Sequence, residues 1–234
     1  MPRKIKVQRK DLNEPDEFIS TSSRVMAYVK ARYRLLAPAA GAVLLLVLIA
    51  VVWYYYRAGR EQDARESFHQ AVALYQAVGA AETDRPSDQK YRDALAQFSA
   101  VEEKYPGTES GVNALFYLGE SSYRLKEYDK AIDFYTRFIS RSRPGNYLRG
   151  YAYEGLGYCH EEKQDYAKAV EFYGRALQEQ SNSLPDLLYV AIARCYEALN
   201  DKTKALDYYK KVTGDKKGSV LLTIAADRIA SLAP

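Results

Sequence analysis

One helix-pair pattern is written three times between residues 110 and 213, at nearly constant spacing. The copies read Leu115-x-x-Leu118-Gly119 then Ala131-x-x-x-Tyr135, Tyr153-x-x-Leu156-Gly157 then Ala169-x-x-x-Tyr173, and Tyr189-x-x-Ile192-Ala193 then Ala205-x-x-x-Tyr209. In every copy the small residue of the first half precedes the alanine of the second by 12 positions, so one structural unit recurs. Gly119, Gly157 and Ala193 follow an aliphatic residue inside amphipathic helical patterns, where glycine costs about 1 kcal/mol relative to alanine. That cost persists only if the missing side chain admits another helix. Ala131, Ala169 and Ala205 supply the small surface of that helix, and Tyr135, Tyr173 and Tyr209 lie one turn further on the same face. Small against small, with an aromatic plug beside it, describes an antiparallel helix pair.

These residues resemble the tetratricopeptide (TPR) repeat, whose pattern is W-x2-L-G-x2-Y, then A-x3-F, then P. A degenerate copy lies upstream, with Tyr91, Ala94, Phe98 and Pro106 matching its second helix. Alanines 94, 131, 169 and 205 are 37, 38 and 36 apart, against a usual period of about 34, which predicts slightly long loops. The resemblance covers roughly residues 61 to 213. It implies an all-α fold: an α-solenoid of about four TPR helix pairs, each burying its apolar face against its neighbours. The motif residues are the packing residues and leave the ligand open.

The net charge of +4 resolves by segment. Residues 1–34 carry nine Lys and Arg against four Asp and Glu, whereas residues 57–234 carry 25 basic and 26 acidic side chains. The repeat region is thus electrically balanced, which argues against nucleic acid as a partner. Residues 1–20 are polar and read as a disordered tail. From Thr21, Val25, Val29 and Tyr33 recur one turn apart among Arg24, Lys30, Arg32 and Arg34. This is either a basic amphipathic helix lying at a membrane surface or a helix that continues into the next segment.

Leu35 to Tyr56 is 22 residues without a charge. A helix of that length covers roughly 33 Å, enough to span a hydrocarbon core of about 30 Å. Trp53, Tyr54, Tyr55 and Tyr56 close one end as an interfacial aromatic belt would. A cleaved signal peptide is the rival reading, but bulky aromatics stand where small residues are needed for cleavage. The expectation is a retained transmembrane helix. Nine upstream basic residues outweigh Arg57, Arg60 and Arg65 downstream, so the positive-inside rule puts the N-terminus in the cytoplasm. The expected organisation is a cytoplasmic tail over 1–34, a transmembrane helix over 35–56 and a TPR domain over 57–234, periplasmic at a bacterial inner membrane.

Beyond the anchor, Phe68, Val72, Tyr75 and Val78 keep a helical period, so one long helix is expected to become the first helix of the stack. Loops are expected at Gly79–Lys90, Pro106-Gly107, Pro144-Gly145-Asn146 and Ser181–Pro185. Leu221, Ile224, Ala225, Ile229 and Leu232 fall on one face of a C-terminal helix that would cap the array.

Chemistry is scarce. Two histidines, His69 and His160, and two cysteines, Cys159 and Cys195, are present. Neither zinc spacing, a phosphate loop, a dinucleotide fingerprint nor a nucleophile elbow occurs. No cofactor, metal or catalytic residue is assigned, and an enzyme is not expected. Cys159 and Cys195 share one repeat position, either as inert core thiols or as a disulfide between neighbouring repeats.

What the resemblance implies instead is a binding groove lined by the first helix of each pair. Carried onto this sequence, its candidate residues are Phe116, Glu120, Tyr123, Tyr151, Glu154, Tyr158, Glu161, Val190, Arg194 and Glu197. Such a surface would hold a polypeptide, since tyrosine offers large area with few rotatable bonds. The carboxylate clamp of some TPR domains is disfavoured, because Glu120, Glu154 and Glu161 repel a carboxylate. The layout resembles the ancillary subunit of the SecYEG translocon. It therefore implies an adaptor that holds a protein partner or an emerging secretory chain, with SecYEG or a periplasmic chaperone as partner. The second reading is a scaffold subunit of an envelope complex of the outer-membrane assembly or cell-division type.

Overall fold

The computed structural model describes residues 17–80, 87–179, 185–212 and 219–232, which are helical with short turns and, among those residues, contain no strand. Two compact units divide the chain, Met1–Arg57 and Ala58–Pro234. In the first unit, helix α1 (Glu17–Ala80) begins, with a non-helical residue at Arg32 (φ −118°, ψ 16°). The tail expected over residues 1–20 lies outside the described residues up to 16, and from Glu17 the chain is already helical. Every side chain from Ser23 to Arg57 is exposed. Among the described residues, Ser23–Gln76 is the one helical stretch long and apolar enough to cross a membrane.

The second unit begins within α1 at Ala58. It continues with α2 (Ser87–Lys104), α3 (Glu109–Arg124), α4 (Tyr128–Arg141), α5 (Leu148–Glu162), α6 (Tyr166–Gln178), α7 (Pro185–Ala198), α8 (Lys202–Tyr209) and α9 (Val220–Leu232). From α2 onward sequential neighbours pack together along the array; α3 also touches α5, and α7 touches α9. Of the expected loops, residues 81–86 and 181–184 lie outside the described residues; the rest of the Gly79–Lys90 stretch is helical, closing α1 and opening α2, and Pro185 already begins α7. The other two fall between helices as read, and Gly145 takes a φ of +83°, which an L side chain would find strained.

Helix pairing rests on the glycine–tyrosine contact. A Cβ on Gly119 would sit 2.6 Å from Tyr135 Cε1, and one on Gly157 would sit 2.3 Å from Tyr173 Cε1. Both rings are fully buried. Tyr135 also reaches the following pair, where a Cβ on Gly155 would meet its Cζ at 2.5 Å. Glycine is therefore required on both sides of one ring. The degenerate first pair makes the same joint with larger groups: Ala94 and Phe98 are fully buried, and the Phe98 ring stacks on Tyr117 of α3 at 4.9 Å and 14°. Phe68 of α1 completes that layer, 5.9 Å from Phe98.

The turn inside each pair is also repeated. Lys126, Gln164 and Asn200 adopt φ of 60°, 61° and 59°. After them, the backbone N–H groups of Glu127, Asp165 and Asp201 donate to the carbonyls of Ser122, His160 and Tyr196 at 2.9, 2.8 and 2.9 Å. This is the Schellman closure that satisfies the last carbonyls of a helix. Asp165 and Asp201 then cap the next helix, accepting from the backbone of Lys168 and Lys204. One residue ends a helix and its successor starts another.

The array is tied at both ends. Glu61 of α1 accepts from the backbone N–H groups of Glu109 and Ser110 at 2.8 and 3.2 Å, placing a carboxylate at the positive N-terminus of α3. At the other end Leu221, Ala225, Ile229 and Leu232 of α9 pack against the last pair. Ile224, expected on that face, is instead 40% exposed, because the 100° step per residue carries it past the contact.

Cys159 and Cys195 are both free and buried. Burial pushes each thiol up to about 12, so the reactive thiolate is scarce at neutral pH. Ellman's reagent should find almost no reactive thiol in the native, non-reduced protein and two after denaturation; zero after denaturation would mean a disulfide. For the helix joint, G157A should cost about 1–3 kcal/mol through overpacking against a ring that cannot move. At Gly174 a Cβ would meet nothing within 4 Å, so G174A inside α6 should add about 0.5–1 kcal/mol of stability. Thermal or urea melts of the two variants should therefore move in opposite directions.

Candidate binding cleft

A cleft of about 460 Å³ opens between α3 and α5. Phe116, Glu120, Tyr123 and Arg124 line it from α3; Tyr151, Glu154, Gly155 and Tyr158 line it from α5; Leu187 of α7 closes one side. Residues 116, 120 and 123 recur at helical spacing, as do 151, 154, 155 and 158, so each helix offers one stripe. Six residues named from sequence thus meet in one place: Phe116, Glu120, Tyr123, Tyr151, Glu154 and Tyr158. Arg124, Gly155 and Leu187 were not anticipated. Gly155 and Gly157 lie about 200° apart on α5 and admit different rings, Tyr135 and Tyr173.

The other four named residues are spent on the stack. Val190 is buried with Ala193, Ala205 and Tyr209. Glu161 accepts from the Tyr173 hydroxyl at 2.7 Å and receives both Nε and Nη2 of Arg194 at 2.6 and 2.9 Å. Glu197 accepts from the Tyr209 hydroxyl at 2.6 Å and from Arg228 of α9. These carboxylates and Arg194 bind neighbouring helices, because a buried tyrosine hydroxyl needs an acceptor and the half-buried acid then needs a cation.

Within the cleft, Glu120 also serves a tyrosine: it accepts from Tyr135 at 2.6 Å and from Tyr75 at 3.4 Å. The Arg124 guanidinium, one turn beyond Glu120 on α3, is held in its charged form by the nearby Tyr75 and Glu120. Glu154 accepts from the Tyr158 hydroxyl at 2.9 Å. Burial, together with the nearby Glu120 charge, raises the Glu154 carboxyl above its usual range. Burial likewise pushes Tyr123 up to about 12 and raises Tyr158 further, so both phenols remain proton donors at neutral pH. The rings of Tyr123 and Tyr158 stand 6.1 Å apart, while Tyr151 is 40% exposed at the rim. The surface offers aromatic faces, two carboxylates and one guanidinium, suited to an amphipathic chain. Among the described residues, no three His, Cys, Asp or Glu side chains converge to hold a metal.

Comparison with known proteins agrees with this architecture. Tetratricopeptide repeat family models match residues 87–147, 141–185 and 187–214. No curated protein matches the chain. Among solved structures the chain is similar to MamA, at 19% identity over 62% of this chain and 77% of that one, with a TM-score of 0.52. It is also similar to kinesin light chain TPR-like repeats from Podosopora anserina, at 11% identity over 74% and 86% of the two chains, TM-score 0.56. A tetratricopeptide repeat protein from Parabacteroides merdae aligns at 17% identity over 71% and 60%, TM-score 0.55. At such identities the likeness is one of fold.

The hydroxyl of Tyr173 is the testable element of the joint. Y173F keeps the ring but deprives Glu161 of a donor, and should lower stability by about 1–2 kcal/mol in urea titration. At Tyr147, 59% exposed, the same change should alter stability by less than about 0.5 kcal/mol.

Proposed function

This chain belongs to the tetratricopeptide repeat family, and on that premise we propose that it is a membrane-anchored adaptor whose α3–α5 cleft binds a polypeptide segment of a partner protein. TPR repeats serve protein–protein interaction and no enzyme family is indicated. The observation that carries the reading is the cleft itself: large aromatic surface and a few polar groups on two rigid stripes, the form in which a folded scaffold holds an extended or helical segment.

Anchoring is proposed from the first unit. The stretch Leu35–Tyr56 is uncharged and its side chains are exposed throughout, unlike a core helix of a water-soluble domain, which would bury them. Its flanking charges favour an N-terminus in the cytoplasm and repeats on the far side, in the periplasm of a bacterium. A short tail, one span and periplasmic repeats is the layout of the ancillary translocon subunit, so the proposed station is beside SecYEG, with a translocon subunit, a periplasmic chaperone or an emerging secretory chain as the bound partner.

Reporter fusions test the topology. Alkaline phosphatase joined after Pro106 should be active and green fluorescent protein joined there should be dark; the reverse pair would put the repeats in the cytoplasm and end the translocon reading. A photoreactive residue at Tyr151 should crosslink to a translocon subunit, a chaperone or a chain in transit, whereas one at Thr136, exposed on α4, should not. Equal crosslinking at both would favour contacts on the stack edges.

A further inference from the structure

We propose that the α3–α5 cleft selects a basic side chain of the bound polypeptide, arginine or lysine, with Glu154 as its counter-charge. This inference rests on reading the cleft as a polypeptide groove and names the chemistry of the segment it takes.

Four other half-buried acids of this protein are paired with cations. Glu102 is paired with Arg137 and Arg141 at 3.1 and 2.8 Å. Arg149 serves Glu179 at 3.1 Å, Arg194 serves Glu161 at 2.6 Å, and Arg228 serves Glu197. A carboxylate drawn out of water costs free energy unless a cation accompanies it, and each of these four has one. Glu154 breaks the pattern. Its hydrogen bond is to the neutral hydroxyl of Tyr158, and no cation among the described residues forms an ion pair with it. The guanidinium that does line the cleft, Arg124, lies near Glu120 and Tyr75. Two carboxylates, Glu120 and Glu154, thus share the cleft with one guanidinium, and the cleft carries one net negative charge.

The surroundings suit a cation with an organic stem. Tyr151 and Tyr158 flank Glu154 on α5 and Tyr123 faces them from α3; an aromatic face attracts a cation within about 6 Å of its centroid. Elsewhere the molecule holds the same seat occupied by one of its own side chains. Arg149 lies 5.9 Å from the centroid of Tyr153 while its Nε reaches Glu179 at 3.1 Å. Tyrosine on one side and glutamate on the other is thus a seat this fold fills with arginine. At Glu154 the occupant would come from another chain. A lone carboxylate is a poor site for a bare metal ion, which needs several oxygens, and the aromatic walls favour a side chain.

Isothermal titration of the full chain in detergent micelles tests this with four capped decapeptides of one Ser/Tyr/Leu background, differing only in a central arginine, lysine, citrulline or glutamate. Arginine and lysine peptides should bind about tenfold or more tighter than the near-isosteric citrulline peptide, and the glutamate peptide weakest. E154Q should abolish the preference, so that the arginine and citrulline peptides bind the variant alike. The variant's melting temperature should equal or exceed that of the parent, because a half-buried charge without an ion pair has been removed. Four equal affinities for the parent protein would leave the groove standing and overturn the charge selection, an outcome that needs no variant. Tight arginine binding untouched by a folded E154Q would overturn the role of Glu154. Binding by none of the peptides would overturn the groove and the inference together.

Discussion

Everything in the repeat unit depends on how a tyrosine ring is seated. Its apolar face needs a surface without side chains, which Gly119 and Gly157 provide, and its hydroxyl needs an acceptor once the ring is wholly buried. In three successive pairs that acceptor is a glutamate from the partner helix, at 2.6, 2.7 and 2.6 Å. Charge-assisted hydrogen bonds of this kind are stronger than neutral ones and fix direction as well as distance. The plug therefore sets both the separation of the two helices and their rotation about each other.

The acceptor imposes the next constraint. A half-buried glutamate requires a cation, and for Glu161 and Glu197 it comes from the next helix on that side of the stack, Arg194 of α7 and Arg228 of α9. A chain of dependence thus runs along the array: glycine admits tyrosine, tyrosine recruits glutamate, glutamate recruits the arginine of the next unit. The interaction between neighbouring pairs on which a solenoid's stability rests here has a polar component laid over the apolar one. Burial of Tyr173 beside Glu161 raises its phenol far above the ordinary range, so the donor keeps its proton at neutral pH.

The apolar part of this was legible in the sequence. Small residues at a fixed interval from alanine and tyrosine identified the pairs, because steric exclusion has to be written as glycine or alanine at set positions. Polar parts were less visible. Glu161, Arg194 and Glu197 looked like groove residues since they lie on the first helix of each pair; whether a side chain there meets solvent or a neighbour's phenol depends on a rotation that periodicity does not encode. The turns were hidden for another reason. Lys126, Gln164 and Asn200 stand where glycine would be the expected signal for φ > 0, and the strain of a side chain there is offset by the Schellman bonds and by the aspartate caps that follow in two of the turns. Ile224 shows the usual weakness of a helical wheel at its margin, one step of 100° separating contact from exposure.

The location of the cleft follows from one shift of register. In α5 and α7 the acceptor glutamate stands four residues after the small residue, as Glu161 and Glu197; in α3 that place holds Tyr123, and the acceptor is Glu120, one residue after Gly119. The displaced carboxylate accepts from Tyr75 of the preceding pair and has the Arg124 charge of its own helix nearby. Position one after the small residue, arginine in α7, is Tyr158 in α5, and its hydroxyl turns along its own helix to Glu154. Between α5 and α7 the Arg194–Glu161 bridge ties the first helices together. Between α3 and α5 no such bridge forms among the described residues, and the space it would occupy is the cleft. The cleft opens where the repeat omits its own cross-link, and Glu154, the acid left on its α5 wall, forms no ion pair among the described residues.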